Sequence, residues 1–324
     1  MKTVRWGIVG PGNIAARFAK AVKNVASAEL VAVASREKER GAAFAEAHRI
    51  PLVFTGYEEM AASDTVDAVY IATPHPFHKP CAELFLKAGK HVLCEKPMCV
   101  NADEARQLAD CARQNGVFLM EAMWTRFLPA ILEAQKIIAS GEIGEVRAIE
   151  ADFCYRTEIG SIPRLYLPSL AGGGLLDVGV YGLHFAAIFL GSAPETLVAL
   201  GHTDQGVDIH TSILMKYKNG AIASITSAIG VEKPETGFIY GTKGWISFPC
   251  FYGPQELTVH TQQGDRRIVK EYLGNGFEEE IIEVCRCIQS GKSQSDIMPL
   301  AESIAILQQM DDVRAQIGIR YPFE

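Results

Sequence analysis

Near its N-terminus the chain reads Val4-Arg5-Trp6-Gly7-Ile8-Val9-Gly10-Pro11-Gly12-Asn13-Ile14-Ala15. The apolar run breaks at two glycines, and Ile14, Phe18, Val22 and Val25 then recur three or four apart. That switch of period predicts a strand, a tight turn and an amphipathic helix. Within the turn, Gly10 permits the sharp bend and Gly12 lets a diphosphate approach the backbone. The small Ala15 lets helix and strand pack closely. The free N–H groups at the start of such a helix suit phosphate charge. G-x-G-x-x-A in this context predicts dinucleotide binding.

Working outward, the alternation repeats. Strand-like runs at residues 30–34, 66–72, 91–94 and 117–120 alternate with helical stretches at 38–48, 79–88 and 102–115. Strands separated by helices of this length imply parallel βαβ units and a doubly wound sheet. After Pro129 the rhythm changes. One helix (residues 130–140) leads into strand-like runs at 145–155, 196–203, 209–217, 221–229, 238–240, 245–248, 257–261 and 268–272. Short turns such as Lys218-Asn219-Gly220 join several of them, as in hairpins. Helices at 277–290 and 299–317 follow. The expected fold class is α/β: a doubly wound Rossmann domain over residues 1–123, then an α+β domain over 124–324 with a large, mostly antiparallel open sheet. The last helix could pack back on the first domain.

Composition bounds the function. The 324 residues are 48% hydrophobic and 21% charged, which argues against disorder. A formal charge of −7 with no basic run argues against nucleic acid as a partner. No signal peptide and no apolar stretch of the ~20 residues that span a membrane are expected. The eight cysteines lack paired C-x-x-C spacing, so no metal site is expected, and reduced thiols suit a cytoplasmic protein.

Three further motifs carry chemistry. Ser35-Arg36 stands at the end of the second strand, where an acid would bond the ribose of NAD. A hydroxyl beside a guanidinium suits a 2′-phosphate instead, so NADP is expected, with NAD as the alternative. Cys94-Glu95-Lys96-Pro97 closes another strand, at the sheet end that lines the ligand crevice. Gly172-Gly173-Gly174 precedes a helix in which Asp177, Tyr181 and His184 fall at i, i+4 and i+7, on one face.

These motifs, with Met123-Trp124-Thr125-Arg126-Phe127-Leu128-Pro129, resemble the glucose–fructose oxidoreductase / inositol dehydrogenase (Gfo/Idh/MocA) family. Within it they are most similar to the dimeric dihydrodiol and NADP-dependent D-xylose dehydrogenase branch. The resemblance implies Lys96, Tyr181 and Asp177 as the catalytic group, and a cis bond at Lys96–Pro97. It implies a cofactor set of Gly10, Gly12, Asn13, Ile14, Ser35, Arg36, Thr73, Pro74, His78, Glu95 and Lys96. Trp124, Arg126, Phe153, His184, Tyr252 and Phe277 join Asp177 and Tyr181 around a sugar or cyclic diol. Inositol-oxidising members usually carry His where this chain has Tyr181. The implied activity is reversible hydride transfer between a nicotinamide and a secondary alcohol or hemiacetal. A phenol titrates near ~10 unperturbed, and an ammonium beside it favours the phenolate. Either Tyr181 or Lys96 could therefore exchange the proton. The rival readings are another polyol dehydrogenase and a non-catalytic dinucleotide-binding redox regulator. A homodimer or dimer of dimers through the open sheet face is also implied.

Overall fold

The computed structural model describes residues 3–157 and 162–324. The chain forms two compact units that are not contiguous in sequence. The first comprises residues up to Cys99, Asp103–Trp124 and Leu273–Ile304; the second comprises Val100–Ala102, Thr125–Tyr272 and Ala305–Glu324.

In the first unit β1 (Val4–Val9), β2 (Ala28–Ser35), β3 (Leu52–Thr55), β4 (Ala68–Ile71), β5 (His91–Glu95) and β6 (Leu119–Ala122) form one parallel sheet, in the order β3-β2-β1-β4-β5-β6. Helices α1 (Asn13–Val22), α2 (Lys38–His48), α3 (Glu58–Ala62), α4 (His78–Lys87) and α5 (Ala102–Asn115) make the connections. Strands buried on both faces demand continuous apolar runs, and β4 (Ala-Val-Tyr-Ile) is buried throughout. Phe18 of α1 stacks on Tyr70 of β4 at 3.9 Å, with Trp6 of β1 edge-on at 5.3 Å. The strand order reverses between β1 and β4. The carboxyl ends there, where ligands bind such sheets, carry Gly10 and Thr73.

Two differences from the sequence pattern have local causes. The run expected at 117–120 pairs as Leu119–Ala122. Phe118 and Leu119 give their N–H groups to the His91 ring and to Ser293 O, so pairing starts late. The buried Glu121 inside that strand accepts from Met98 N at 3.0 Å, a use of an acid that apolar patterning does not signal. β3 and α3, four and five residues long, were too short to stand out.

The second unit contains α6 (Pro129–Ala139), β7 (Val146–Cys154), α7 (Val180–Leu190), β8 (Thr196–Asp204), β9 (Val207–Lys216), β10 (Ile222–Ala228), β11 (Gly237–Gly241), β12 (Gly244–Phe248), β13 (Glu256–Thr261) and β14 (Gly264–Val269). Its sheet runs β14-β13-β12-β11-β7-β10-β9-β8, antiparallel except for β7 beside β10. Helix α8 (Glu278–Gln289) belongs to the first unit, and α9 (Leu300–Ile317) passes from one unit's residues to the other's. The run expected at 268–272 is instead β14, because the turn at Gln262-Gln263 pairs Thr261 with Gly264 at once and the ladder ends at Glu256 with Val269. Its charged residues suit an edge strand and hide the apolar pattern.

One face of this sheet receives α7. A Cβ on Gly182 would meet Ile225 Cγ2 at 2.3 Å, and one on Gly179 would meet Ser227 Oγ at 2.9 Å, so glycine lets the helix lie flat on β10. The expectation that no segment could span a bilayer needs correcting. Pro168–Leu190 passes by length and composition, yet its most apolar window is 83% buried. It is also interrupted by turns at its start, so it reads as an interior element of the unit. On the opposite face, period-2 alternation leaves Val198, Leu200, Leu214 and Ile222 between 41% and 79% exposed. Phe238, Tyr240 and Trp245 continue that face, with His260 stacked on Trp245 at 3.5 Å.

Candidate active site

The glycine turn of the first unit has the geometry its sequence requires. Gly10 has φ +88°, and a Cβ there would stand 3.1 Å from both Ala72 O and Thr73 Cγ2. Gly12 precedes α1 in extended conformation, and a Cβ on it would meet nothing within 4 Å. No side chain caps α1 and no acid stands in its first turn. Its leading N–H groups therefore remain available to an anion. Asn13 is exposed, Ile14 half-buried and Ala15 fully buried against the sheet.

At the end of β2, Ser35 is buried and its hydroxyl accepts from Glu37 N at 3.2 Å. Arg36 projects outward with its guanidinium 5.5 Å over the Phe77 ring. Arg40, one turn further, donates from Nε to Pro11 O at 3.0 Å and so adds a second cation near the glycine turn. The sequence reading missed Arg40 and Phe77. Arg40 lies at i+4 from Arg36, a spacing that could have flagged it.

His78 is buried, with Nδ1 2.9 Å from Pro97 O and Nε2 2.7 Å from Thr73 O. It ties the turn after β4, where Pro74 follows Thr73, to the Lys96–Pro97 loop. Burial pushes its pKa below the ordinary value, against the pull of those carbonyls. The Lys96–Pro97 bond is cis, as the resemblance implied. Glu95 accepts from the Tyr70 hydroxyl and from Lys96 N; burial pushes its carboxyl up, opposed by the Lys96 charge. Glu280 is fully buried, and burial together with Glu95 pushes it up as well. Trp124 and Phe277 come together at 5.5 Å, and the Arg17 guanidinium lies 5.4 Å and 4.7 Å from their ring centres. Arg17, Tyr70 and Glu280 carried no sequence signal beyond their type.

In the second unit the glycine segment does not lead directly into an α-helix. Leu175–Gly179 is a π turn, with Val180 N donating to Leu175 O, and α7 follows. Tyr181 lies in the first turn of α7 and Asp177 within that π turn. Such turns recur at functional sites. Asp177 is nearly buried. It pairs with Arg164 at 2.9 Å, and its other oxygen accepts from the Tyr155 hydroxyl at 2.5 Å. Burial, then the Asp177 charge, pushes the Tyr155 phenol far above its usual range. Arg164 and Tyr155 were not foreseen; they stand 13 and 22 residues from Asp177, outside any local pattern.

Around Tyr181 two of the expected aromatic residues, Phe153 and Tyr252, assemble. Phe153 stacks on Tyr252 at 4.0 Å, and the Tyr181 ring lies 5.5 Å and 5.6 Å from them. Tyr252 is held by Thr125, which donates to its carbonyl, while its hydroxyl donates to Glu235 at 3.2 Å. Tyr181 keeps 8% of its surface, Arg126 keeps 6%, and His184 keeps none. Among the described residues, no group of three His, Cys, Asp or Glu side chains could hold a metal ion.

Residues 4–123 match the model of an oxidoreductase family with an NAD-binding Rossmann fold, and residues 131–247 match the Gfo/Idh/MocA C-terminal domain. The chain belongs to the Gfo/Idh/MocA family of oxidoreductases. It is 39% identical to trans-1,2-dihydrobenzene-1,2-diol dehydrogenase of Mus musculus over 332 residues, and 37% identical to that of Homo sapiens over 331; 98% of each chain is covered. Among solved structures it is similar to KijD10, a 3-ketoreductase from Actinomadura kijaniata in complex with NADP and TDP-benzene (27% identity, TM-score 0.89, 98% of both chains). An aldose-aldose oxidoreductase from Caulobacter crescentus shares the fold at 24% identity and TM-score 0.89, over 97% of both chains.

For this family member, the open space beside Gly12 supplies a test. Gly12→Ala puts its Cβ where nothing lies within 4 Å, so the ligand-free protein should melt within a degree or two of the parent. Excluding the diphosphate removes at least one charge-assisted hydrogen bond of about 3 kcal/mol, which is about 100-fold in affinity. Fluorescence titration with reduced nicotinamide dinucleotide measures that loss; unchanged affinity would place the diphosphate elsewhere.

Proposed function

We propose that the protein oxidises a secondary alcohol or hemiacetal of a cyclic diol or sugar with NADP, reversibly. The observation that carries this reading is the platform of Phe153, Tyr252 and Tyr181 in the same unit as the Asp177–Arg164 pair. Stacked rings suit the apolar face of a carbocycle or pyranose, and a carboxylate held by a guanidinium is a ready acceptor for a substrate hydroxyl. The diol dehydrogenase relatives, covered along almost their whole length, support the same substrate class.

The uncapped α1 terminus and the glycine turn fit a dinucleotide diphosphate, and Ser35 and Arg36 fit a 2′-phosphate. When bound, the nicotinamide supplies the hydride chemistry. The protein then has to bind, orient and move one proton. In this reading Tyr181 or Lys96 exchanges that proton, and Asp177 orients a second hydroxyl. Eight cysteines without a disulfide among the described residues favour a cytoplasmic setting.

We also propose that two copies pair through the open sheet face. Leu200 is 79% exposed, with Val198 and Leu214 at 53% beside it, a patch that water covers poorly.

The 2′-phosphate assignment predicts that NADP binds more tightly than NAD, with a preference that fades at high salt. Arg36→Ala should lose most of the preference and leave NAD affinity nearly unchanged; equal affinities in the parent protein would sink it. Pairing through the sheet predicts a dimer by sedimentation equilibrium, and Leu200→Lys with Leu214→Lys should shift it to monomer. A monomeric parent, or an unshifted double variant, removes that proposal.

Tyr181→Phe deletes one hydroxyl and keeps the ring on its platform. Turnover with the best substrate from a panel of cyclic diols, aldoses and inositols should fall by roughly 10²–10⁴-fold. The loss should appear equally in kcat and kcat/KM, the signature of a contact made in the transition state. NADPH affinity should stay level. Lys96→Met should also impair turnover, and the double variant should fall far short of additivity. Near-normal turnover in Tyr181→Phe beside a dead Lys96→Met would give the proton to Lys96.

A further inference from the structure

We infer that Asp208, on β9, is a positioning residue for the segment that carries Asp177 and Tyr181; this rests on the activity proposed above. Asp208 is 1% exposed and pairs with no cation among the described residues. Its Oδ2 accepts from Leu175 N at 2.7 Å and from Thr211 Oγ1 at 3.1 Å, and the Gly174 N–H also reaches the carboxyl. These are leading N–H groups of the π turn, which have no carbonyl of their own turn to bond. A carboxylate 33 residues away therefore caps the turn that sets the position of Asp177.

The loop above it is shaped to this contact. Gly173 has φ +111°, and a Cβ on it would stand 2.1 Å from Asp208 Oδ1, so only glycine lets the backbone settle there. From the other side Tyr321 donates its hydroxyl to Gly172 O at 2.9 Å. Arg314 fastens the Tyr321 segment through Glu324 at 2.7 Å and 2.9 Å, and through Asp311 at 2.7 Å. The glycine tripeptide is thus held by a buried acid and a buried phenol, and Asp177 N bonds back to Gly173 O at 3.4 Å.

Burial pushes the Asp208 carboxyl up to about 7, against the pull of the N–H groups it accepts. The titratable group facing it is the Tyr321 phenol, which burial and Asp208 itself hold far above its ordinary range. Arg314, 4.9 Å from the Tyr321 ring centre, is the cation behind that phenol. The Asp208 Oδ1, which accepts no hydrogen bond from the described residues, is the atom that takes the proton. As pH falls through neutrality a charged cap becomes a neutral one and its hold on the turn weakens.

Asp208→Asn keeps the shape and an acceptor for Leu175 N but does not titrate; Asp208→Ala removes the cap. With any substrate from the panel, the parent should show a limb near pH 7 in kcat, and Asp208→Asn should lack it. Asp208→Ala should lose about 10-fold or more in kcat and kcat/KM together, with NADPH affinity unchanged. A raised carboxyl pKa means that the folded state holds the proton more tightly than the unfolded chain. Its stability contribution is therefore full below the ordinary value and lost as pH rises through about 7. The Tm of Asp208→Asn should accordingly gain on the parent between pH 5 and pH 8.

Amide exchange over residues 173–181 reads the cap without any substrate. Leu175 N–H protection in the parent should drop below pH 7, stay level in Asp208→Asn and be lost at every pH in Asp208→Ala. Exchange behaving so while no panel substrate turns over would overturn the activity reading and keep the cap. Unchanged exchange in Asp208→Ala, or a pH 7 limb surviving in Asp208→Asn, would overturn the positioning role.

Discussion

Close approach of one backbone to another, at points where a Cβ would collide, governs the geometry of both units. In the first, Gly10 brings the β1–α1 turn against the Ala72 carbonyl, and α1 then starts with its N–H groups unclaimed. In the second, Gly182 lays α7 on β10, and Gly173 brings the preceding loop onto Asp208. Each contact fixes the direction of a helix whose first turn has work to do. A methyl group at Gly10 or Gly173 would have to displace backbone or a buried carboxylate, which close-packed interiors do not accommodate.

Buried charge is handled in two distinct ways. Asp177 keeps a guanidinium partner and a phenol donor, the pairing that a buried carboxyl group needs. Glu95, Glu280 and Asp208 have no such cation in an ion pair among the described residues, and burial pushes all three upward. Glu95 and Asp208, which accept backbone N–H groups, and Glu280 on α8 are eased toward neutrality by that burial. His78 follows the same logic with the opposite sign: burial lowers its pKa, and its nitrogens serve the loops on either side.

The parallel βαβ alternation was legible because apolar period and glycine position are local properties. Residues 38–48 and 102–115 could be delimited from the pattern alone and coincide with α2 and α5. β14 was displaced because its charges mask a strand whose register is set by a turn. The π turn was invisible because it differs from an α turn only in which carbonyl each N–H meets, and side-chain type does not record that. Asp177 lies inside it.

By itself the sequence determined the two fold types and the glycine turn, and it offered Lys96, Asp177, Tyr181 and several aromatic side chains as candidates by functional group. Those are consequences of period, backbone freedom and functional group, which a residue carries wherever it goes. Only the tertiary structure decided that Phe153 stacks on Tyr252, that Arg17 meets Trp124 and Phe277, that Arg164 and Tyr155 hold Asp177, and that Asp208 caps its turn. These partners lie 13 to 260 residues apart, a span over which chain connectivity imposes no preferred contact. Pairing among them comes from sheet register and close packing, which exist only once the chain has folded.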